Sequence, residues 1–250
     1  MLVYPSSIDL STRTLRFLAG QLTARRRDIG TRWRRLSLAR QALLALAHQR
    51  CGDTYARLAA GFGIGIATVY RYIREAIEVL AALTPTLAEA MTTIRTKAFV
   101  IPDGTLLPID RLAADTPYHS RKHKRHGMNV QVLTDPSGRL QWASPALPGS
   151  THDLTAARQH GIIDGLTAAG LKCWADKAYQ EAGRPVRVPF RGRHLKQWKR
   201  RHNTTHAKIR CLDEQAMATL KGWRLQKLRC STNRITAIVQ AILLLHHAST

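Results

Sequence analysis

The stretch AFVIPDGTLLPID, residues 98–110, decides how the chain folds. Ala98–Ile101 is a short apolar run of the kind that fills a buried strand, and Asp103 comes directly after it. Three further runs have the same character: Met128–Leu133, Leu140–Ala143 and Leu171–Ala175. Turn residues Asp135, Pro136, Ser137 and Gly138 punctuate them, and Asp153–Ile163 and Lys208–Gly222 read as helices. Strands mixed with helices predict an α/β sheet domain over 97–250. Upstream, from about residue 10 to 93, strand-like alternation is absent, and Pro85 is the only proline after Pro5. That half, 1–93, reads as all-helical, with the boundary near Thr84–Thr96.

The charge narrows the partner. Lys and Arg number 39 against 16 Asp and Glu, for a formal net charge of +23 over 250 residues. Such a chain repels itself unless an anion takes up the charge, and nucleic acid does so by exchanging condensed counterions for Lys and Arg. A membrane-spanning reading is excluded. The longest apolar stretch, Ile235–Leu245, contains Thr236 and Gln240 and is too short for a bilayer. The N-terminus lacks the pattern of a secretion signal. Cys51, Cys173, Cys211 and Cys230 are scattered without a C-x-x-C pair, so reduced thiols are expected, in a cytoplasmic, nucleoid-associated protein.

Within the helical half, LSLARQALLALA (36–47) has apolar positions at helical spacing, and a turn follows at Gly52 and Asp53. TYARLAAGFGIGIATVYRYIREAIEVL (54–80) then reads as two short helices around a tight turn. Thr54 caps the first, Gly63 supplies positive φ in the turn, and the second starts near Ile66. Val69, Ile73 and Ile77 point inward, leaving Thr68, Arg71, Tyr72 and Arg74 on the outer face. This is a helix-turn-helix over about 54–80, with Thr68, Arg71 and Arg74 facing phosphates or base edges. Arg25, Arg26, Arg27, Arg32, Arg34 and Arg35 add further phosphate contacts.

In so basic a chain, carboxylates at strand ends need a reason. Asp103 follows one apolar run, Asp176 follows another in LKCWADKAY, and Glu214 lies in the helical stretch IRCLDEQAMATLKGWR. Open sheets build sites at strand ends. Three carboxylates can hold two Mg²⁺ or Mn²⁺ ions, which favour hard oxygen ligands and serve phosphodiester chemistry. Asp213 neighbours Glu214 but points about 100° away around a helix and ranks second. Asp153, which closes GSTHD, reads either as a helix cap or as a fourth metal ligand. The basic run Arg121, Lys122, His123, Lys124, Arg125, His126 reads as a phosphate clamp. Residues 191–202 (RGRHLKQWKRRH) read as a flexible basic loop.

The segments IPDGTLLPIDR (101–111), YHSRKHKRHGMNVQVLTDPSGRLQWASPALPGSTHDLTAAR (118–158), LKCWADKAYQ (171–180) and EQAMATLKGWR (214–224) together resemble the DDE superfamily of endonucleases. The likeness is to bacterial insertion-sequence transposases of the family-5 type, related to the Harbinger group. The resemblance implies an RNase H-like fold, a mixed five-stranded sheet flanked by helices, with Asp103, Asp176 and Glu214 as the metal-binding catalytic triad. Arg210, Glu214 and Lys221 match the family's R-x-x-x-E-x-x-x-x-x-x-K signature. It departs at Ala207, where Tyr is usual, at Ala178 in place of Gly, and at Gln215 where Arg is common. The resemblance further implies binding of terminal inverted repeats and target DNA, hydrolysis followed by strand transfer, and a homodimer or larger assembly on DNA. Two rivals remain: a transposase-derived DNA-binding regulator without catalysis, and a metal-dependent nuclease without strand transfer.

Overall fold

The computed structural model describes residues 10–31, 34–110, 116–223 and 231–249; Arg32 and Cys230, named above, lie outside them. The described residues fall into two compact units. Of the described residues, one unit draws on 10–31, 34–84, 221–223 and 237–249, the other on 85–110, 116–220 and 231–236.

The helical unit contains α1 (Thr12–Ile29), α2 (Leu38–Cys51), α3 (Tyr55–Phe62) and α4 (Ile66–Ala82). Ser11, Ser37 and Thr54 each cap a helix by accepting a backbone N–H three residues on, which fixes where the first three begin. Gly63 turns the chain between α3 and α4 at φ 66°. Gly65 caps α4 without a side-chain bond. Val69, Ile73 and Ile77 are buried, as their spacing requires. Tyr72, expected outside, is buried too: it sits three residues after Val69 on the same stripe, and its hydroxyl accepts the Arg35 N–H at 3.0 Å.

This unit also takes the end of α9 (Thr232–Ser249), a stretch that the sequence reading assigned to the sheet half. Its apolar run has to be covered, and Ile242 and Leu245 lie against Leu18, Ala45 and Ile77. Thr14 Oγ1 meets Ser249 Oγ at 2.7 Å, and Thr84 Oγ1 donates to the Gln240 carbonyl at 3.0 Å.

The sheet unit starts with the short helix that follows Pro85. Thr86 and Glu89 form a capping box for α5 (Leu87–Ile94). Ala90, Met91 and Ile94 of this helix enter the sheet core with Val100, Leu133 and Trp142. Strand β1 (Ile101–Pro108) begins where the apolar run of the sequence ends, so Asp103 is its third residue rather than a residue beyond it. After β2 (His119–Ser120), the long β3 (Arg125–Thr134) pairs antiparallel with β1, from Ile101 opposite Thr134 to Pro108 opposite Gly127. β2, β4 (Leu140–Ala143) and β5 (Leu147–Pro148) also pair antiparallel with β3. The parallel component lies elsewhere. β6 (Cys173–Trp174) meets Val100 through an isolated parallel bridge, and β7 (Val186–Arg187) runs parallel to β6. The strands are therefore mixed in direction, but as an antiparallel five-stranded sheet beside a two-stranded parallel one.

Successive strand residues point to opposite faces. Val100 and Leu133 face a core built with α5, α6 (Asp153–Gln159) and α7 (Ile162–Ala168). Gly161 separates α6 from α7, where one helix was expected. The opposite face, carrying Ile101, Asp103 and Thr134, meets α8 (Gln197–Lys221). The expected flexible loop is in part this helix, which already includes 197–202. Phe190 packs edge-on against Trp198 and His202, and the Phe190 N–H donates to Asn203 Oδ1 at 2.9 Å, which holds the basic segment in place. No single helix among the described residues is long and apolar enough to cross a membrane. Cys173 and Cys211 are free thiols.

Gly149 shows how tightly the loop after β5 closes. A Cβ there would lie 2.4 Å from the Gly127 carbonyl oxygen and 2.6 Å from that of Tyr118. Backbone cannot yield cheaply, so Gly149→Ala is expected to destabilise the protein by about 1–3 kcal/mol; an unchanged denaturation midpoint would refute this packing.

Candidate active site and nucleic-acid interface

On the helical unit, Arg71 and Arg74 are exposed and Thr68 is half-buried. Arg71 donates to Thr68 Oγ1 at 3.3 Å. Arg74 is paired with Glu78 at 2.7 Å, both well exposed, a contact too weak to withhold it from a phosphate. Arg34 has an internal role as well. It bridges Glu75 at 2.9 Å, and Glu75 also accepts from Gln41 Nε2 at 2.8 Å. These bonds tie the segment before α2 to the outer helix. The result is a recess of about 390 Å³ lined by Arg34, Arg35, Thr68, Arg71 and Tyr72.

In the sheet unit, Asp103 meets a carboxylate from α8, but not the one the signature selects. Asp213 is fully buried (0% exposed), whereas Glu214 is exposed. The helix phase decides this. His206, Asp213, Met217 and Leu220 recur at 7, 4 and 3 residues and form the buried stripe. Thr134 Oγ1 donates to Asp213 Oδ1 at 2.9 Å, while Asp213 Oδ2 is enclosed without an ordinary donor. The Asp103 and Asp213 carboxyl groups lie close enough for the charge of one to act on the other. Burial first, and then Asp213, push Asp103 up to about 8; Arg210, at 3.7 Å, opposes the rise. Burial raises Asp213 too, so the pair titrates as a unit.

Asp176 lies two residues past β6 and caps the turn Lys177–Tyr179, accepting the Ala178 N–H at 2.6 Å. His206 of α8 bonds the Ala175 carbonyl at 2.8 Å and so ties that helix to this strand end. The charge of Asp176 reaches Asp103, raising its pKa.

Asp153 is not the helix cap; His152 is, accepting the Leu154 N–H at 3.4 Å. Asp153 is the first residue of α6, and its carboxylate lies against β1 at Gly104. A Cβ on Gly104 would fall 2.3 Å from Asp153 Oδ1 and 2.7 Å from Gln131 Nε2. Only glycine leaves that space. Asp103 and Gly104 point to opposite faces, so Asp153 sits across the strand from the Asp103–Asp213 pair. Its oxygens accept from Asn129 Nδ2 at 2.8 Å and Lys122 Nζ at 3.1 Å.

Lys122 stands at the rim of a cavity of about 870 Å³, lined by residues that include Gly104, Arg121, His126, Asn129 and Asp153. Burial lowers the Lys122 pKa, but Asp153 outweighs it and the net shift is upward. Arg121, Lys124 and Arg125 are exposed beside it; Lys221, at the end of α8, is also exposed, and Arg210 is half-buried.

The sequence reading did not single out Asn129, Gln131 or Gly104, and ranked Asp213 second. Among the described residues, no three His, Cys, Asp or Glu side chains are drawn together as a ready metal shell. The donor set nevertheless suits a hard cation: carboxylate oxygens, one of them buried without a donor.

An outer helix with exposed arginines, and a separate sheet unit with buried carboxylates and a basic cavity, are features that suit a protein acting on nucleic acid. Residues 102–247 match the family model of the DDE superfamily endonucleases, and residues 34–86 match that of their helix-turn-helix. The chain belongs to the DDE superfamily of endonucleases, among its transposases. It is 30% identical over 197 residues to a putative transposase for insertion sequence element IS112 of Streptomyces albus G, covering 76% of this chain and 71% of that one. No solved structure gives a significant match.

The raised Asp103 pKa sets a pH dependence. A carboxyl that holds its proton more tightly when folded adds stability that is complete below the ordinary aspartate range and is lost as pH rises towards about 8. In metal-free buffer, Asp103→Asn should therefore gain on the wild type by more than about 1 kcal/mol between about pH 5 and about pH 8. A difference that stays constant with pH would contradict the raised Asp103 pKa.

Proposed function

We propose that this chain is a DNA transposase. Its helix-turn-helix binds the element's terminal inverted repeats, and its sheet unit hydrolyses phosphodiesters there and joins the freed 3′-hydroxyl to target DNA. The observation that carries this reading is the buried Asp103–Asp213 pair beside Asp176 in a chain with 39 basic residues. A carboxyl group that burial and its acidic neighbours keep protonated is poised to exchange that proton for a cation. The order β4, β3, β1, then β6 and β7 across the Val100 bridge supports an RNase H-like plan.

Asp103, Asp176 and α8 carboxylates hold the cations. Asp213 offers the buried oxygen, and Glu214, the signature residue, offers an exposed one. Mg²⁺ or Mn²⁺, as a pair, would activate the attacking oxygen and stabilise the leaving one. Arg210 screens the carboxylates and holds Asp103. Arg121, Lys122, Lys124, Arg125 and Lys221 neutralise strand phosphates. Pairing two element ends calls for at least a dimer on DNA, and the substrate places the protein with the bacterial nucleoid.

With DNA carrying the element ends and Mg²⁺, Asp103→Asn and Asp176→Asn are expected to lose at least about 100-fold in cleavage rate while retaining DNA binding. Arg71→Ala should weaken binding with or without metal. Comparing Asp213→Asn with Glu214→Gln identifies the essential α8 carboxylate. Binding without cleavage by the wild type would favour the regulator; cleavage without joined product would favour a plain nuclease.

A further inference from the structure

A buried chain of hydrogen bonds runs under β1 from the Asp176 turn to Lys122. Tyr179, the last residue of the turn that Asp176 caps, donates its hydroxyl to Gln131 Oε1. Gln131 Nε2 donates to Asn129 Oδ1 at 2.7 Å. Asn129 Nδ2 donates to Asp153 Oδ1 at 2.8 Å, and Lys122 Nζ closes the chain on Asp153 Oδ2 at 3.1 Å. Gln131 is 0% exposed, Asn129 6% and Tyr179 1%.

Each link has a single direction. A carboxylate only accepts, so Asn129 must present its NH₂ to Asp153 and its oxygen to Gln131. Gln131 must then present its NH₂ to Asn129 and its oxygen to Tyr179. Asn129 also donates to the Thr151 carbonyl at 3.0 Å, which fixes the same orientation independently. A packed apolar face needs none of these groups, and burying two amides and a phenol is costly unless every bond is made.

We propose that Tyr179, Gln131 and Asn129 are positioning residues that tie the Asp176 turn to the Asp153–Lys122 pair and hold the Lys122 ammonium at the cavity rim as an anchor for a DNA backbone phosphate. Asp153 takes one of the three ammonium protons, which leaves the other two for the cavity. The cavity adds Arg121 and His126, whose enclosed Nε2 has no partner. The strand held there lies beside Gly104, next in sequence to Asp103, so the relay sets the anchor in register with the carboxylates. This inference deepens the nuclease reading and rests on it for the nature of the ligand.

The test is equilibrium binding of the full chain to duplex DNA carrying the element ends, in EDTA, across a salt series. Cleavage plays no part, so a failure of the nuclease reading shows separately, as an inactive wild type in Mg²⁺. Loss of one phosphate contact lowers the salt slope by about 0.9, equivalent to about fivefold in affinity at about 0.15 M salt. Lys122→Ala should show this loss. Tyr179→Phe, which removes one buried hydroxyl, should show much of it, and the double variant should bind no more weakly than Lys122→Ala. If Tyr179→Phe is too unstable to measure, Asp153→Asn serves instead. It keeps an acceptor for Asn129 but releases Lys122. Simple removal of a negative charge would tighten DNA binding, whereas loss of positioning weakens it. An unchanged slope in Lys122→Ala, wild-type binding by Tyr179→Phe, additive losses in the double variant, or tighter binding by Asp153→Asn would each overturn the proposal.

Discussion

The register of β1 against β3 is the constraint on which the site depends. With Asp103 opposite Val132 and Gly104 opposite Gln131, alternation sends Asp103 towards Thr134 and α8 and opens the Gly104 side to Asp153 and the amides of β3. A slip of one residue would exchange the two faces, putting Asp103 among the core residues of α5 to α7 and a glycine opposite Asp213. The eight-residue pairing is long enough to hold this arrangement. The carboxylates are thus placed by backbone hydrogen bonds rather than by their own attractions, as a group of like charges requires.

Two kinds of chemistry are kept apart by that strand. On one side, Asp213 is buried with one oxygen lacking a donor, and burial together with Asp213 pushes Asp103 up to about 8, a costly arrangement that a cation would relieve. On the other, every polar atom from Tyr179 to Lys122 has a partner, and Asp153 is satisfied by two donors. The unsatisfied side suits reaction and the satisfied side suits positioning. Asp176 belongs to both: its charge reaches Asp103, and the turn it caps carries Tyr179.

The helix-turn-helix was readable because its signals are local. Thr54, Gly63, Gly65 and the spacing of Val69, Ile73 and Ile77 act within a few residues, and the structure follows them closely. Tyr72 differs because a tyrosine suits either face; its place on the Val69 stripe and the bond from Arg35 bury it. In the sheet unit the signals are long-range. β1 lies later than its apolar run because Pro102, Asp103 and Gly104 are poor strand formers, held there by pairing with β3. Glu214 and Asp213 cannot be ranked from the R-x-x-x-E spacing alone, since the helix phase is set by the burial of His206, Met217 and Leu220 and by the bond of His206 to Ala175. The relay did leave a trace: Asn129 and Gln131 are polar residues two apart in a strand buried on both faces. The start of α8 was hidden by its basic residues, which read as loop until Phe190 and Asn203 are seen to hold it.

The central claim, that a divalent cation seats at Asp103 and Asp213 by displacing the proton that Asp103 holds, is tested most directly by calorimetric titration of Mn²⁺ in buffers of different ionisation enthalpy at about pH 7. Metal binding that displaces that proton releases roughly one proton for the first ion bound. The account predicts that release in the wild type and its loss in Asp213→Asn. Binding without proton release, or identical release by the variant, would contradict it.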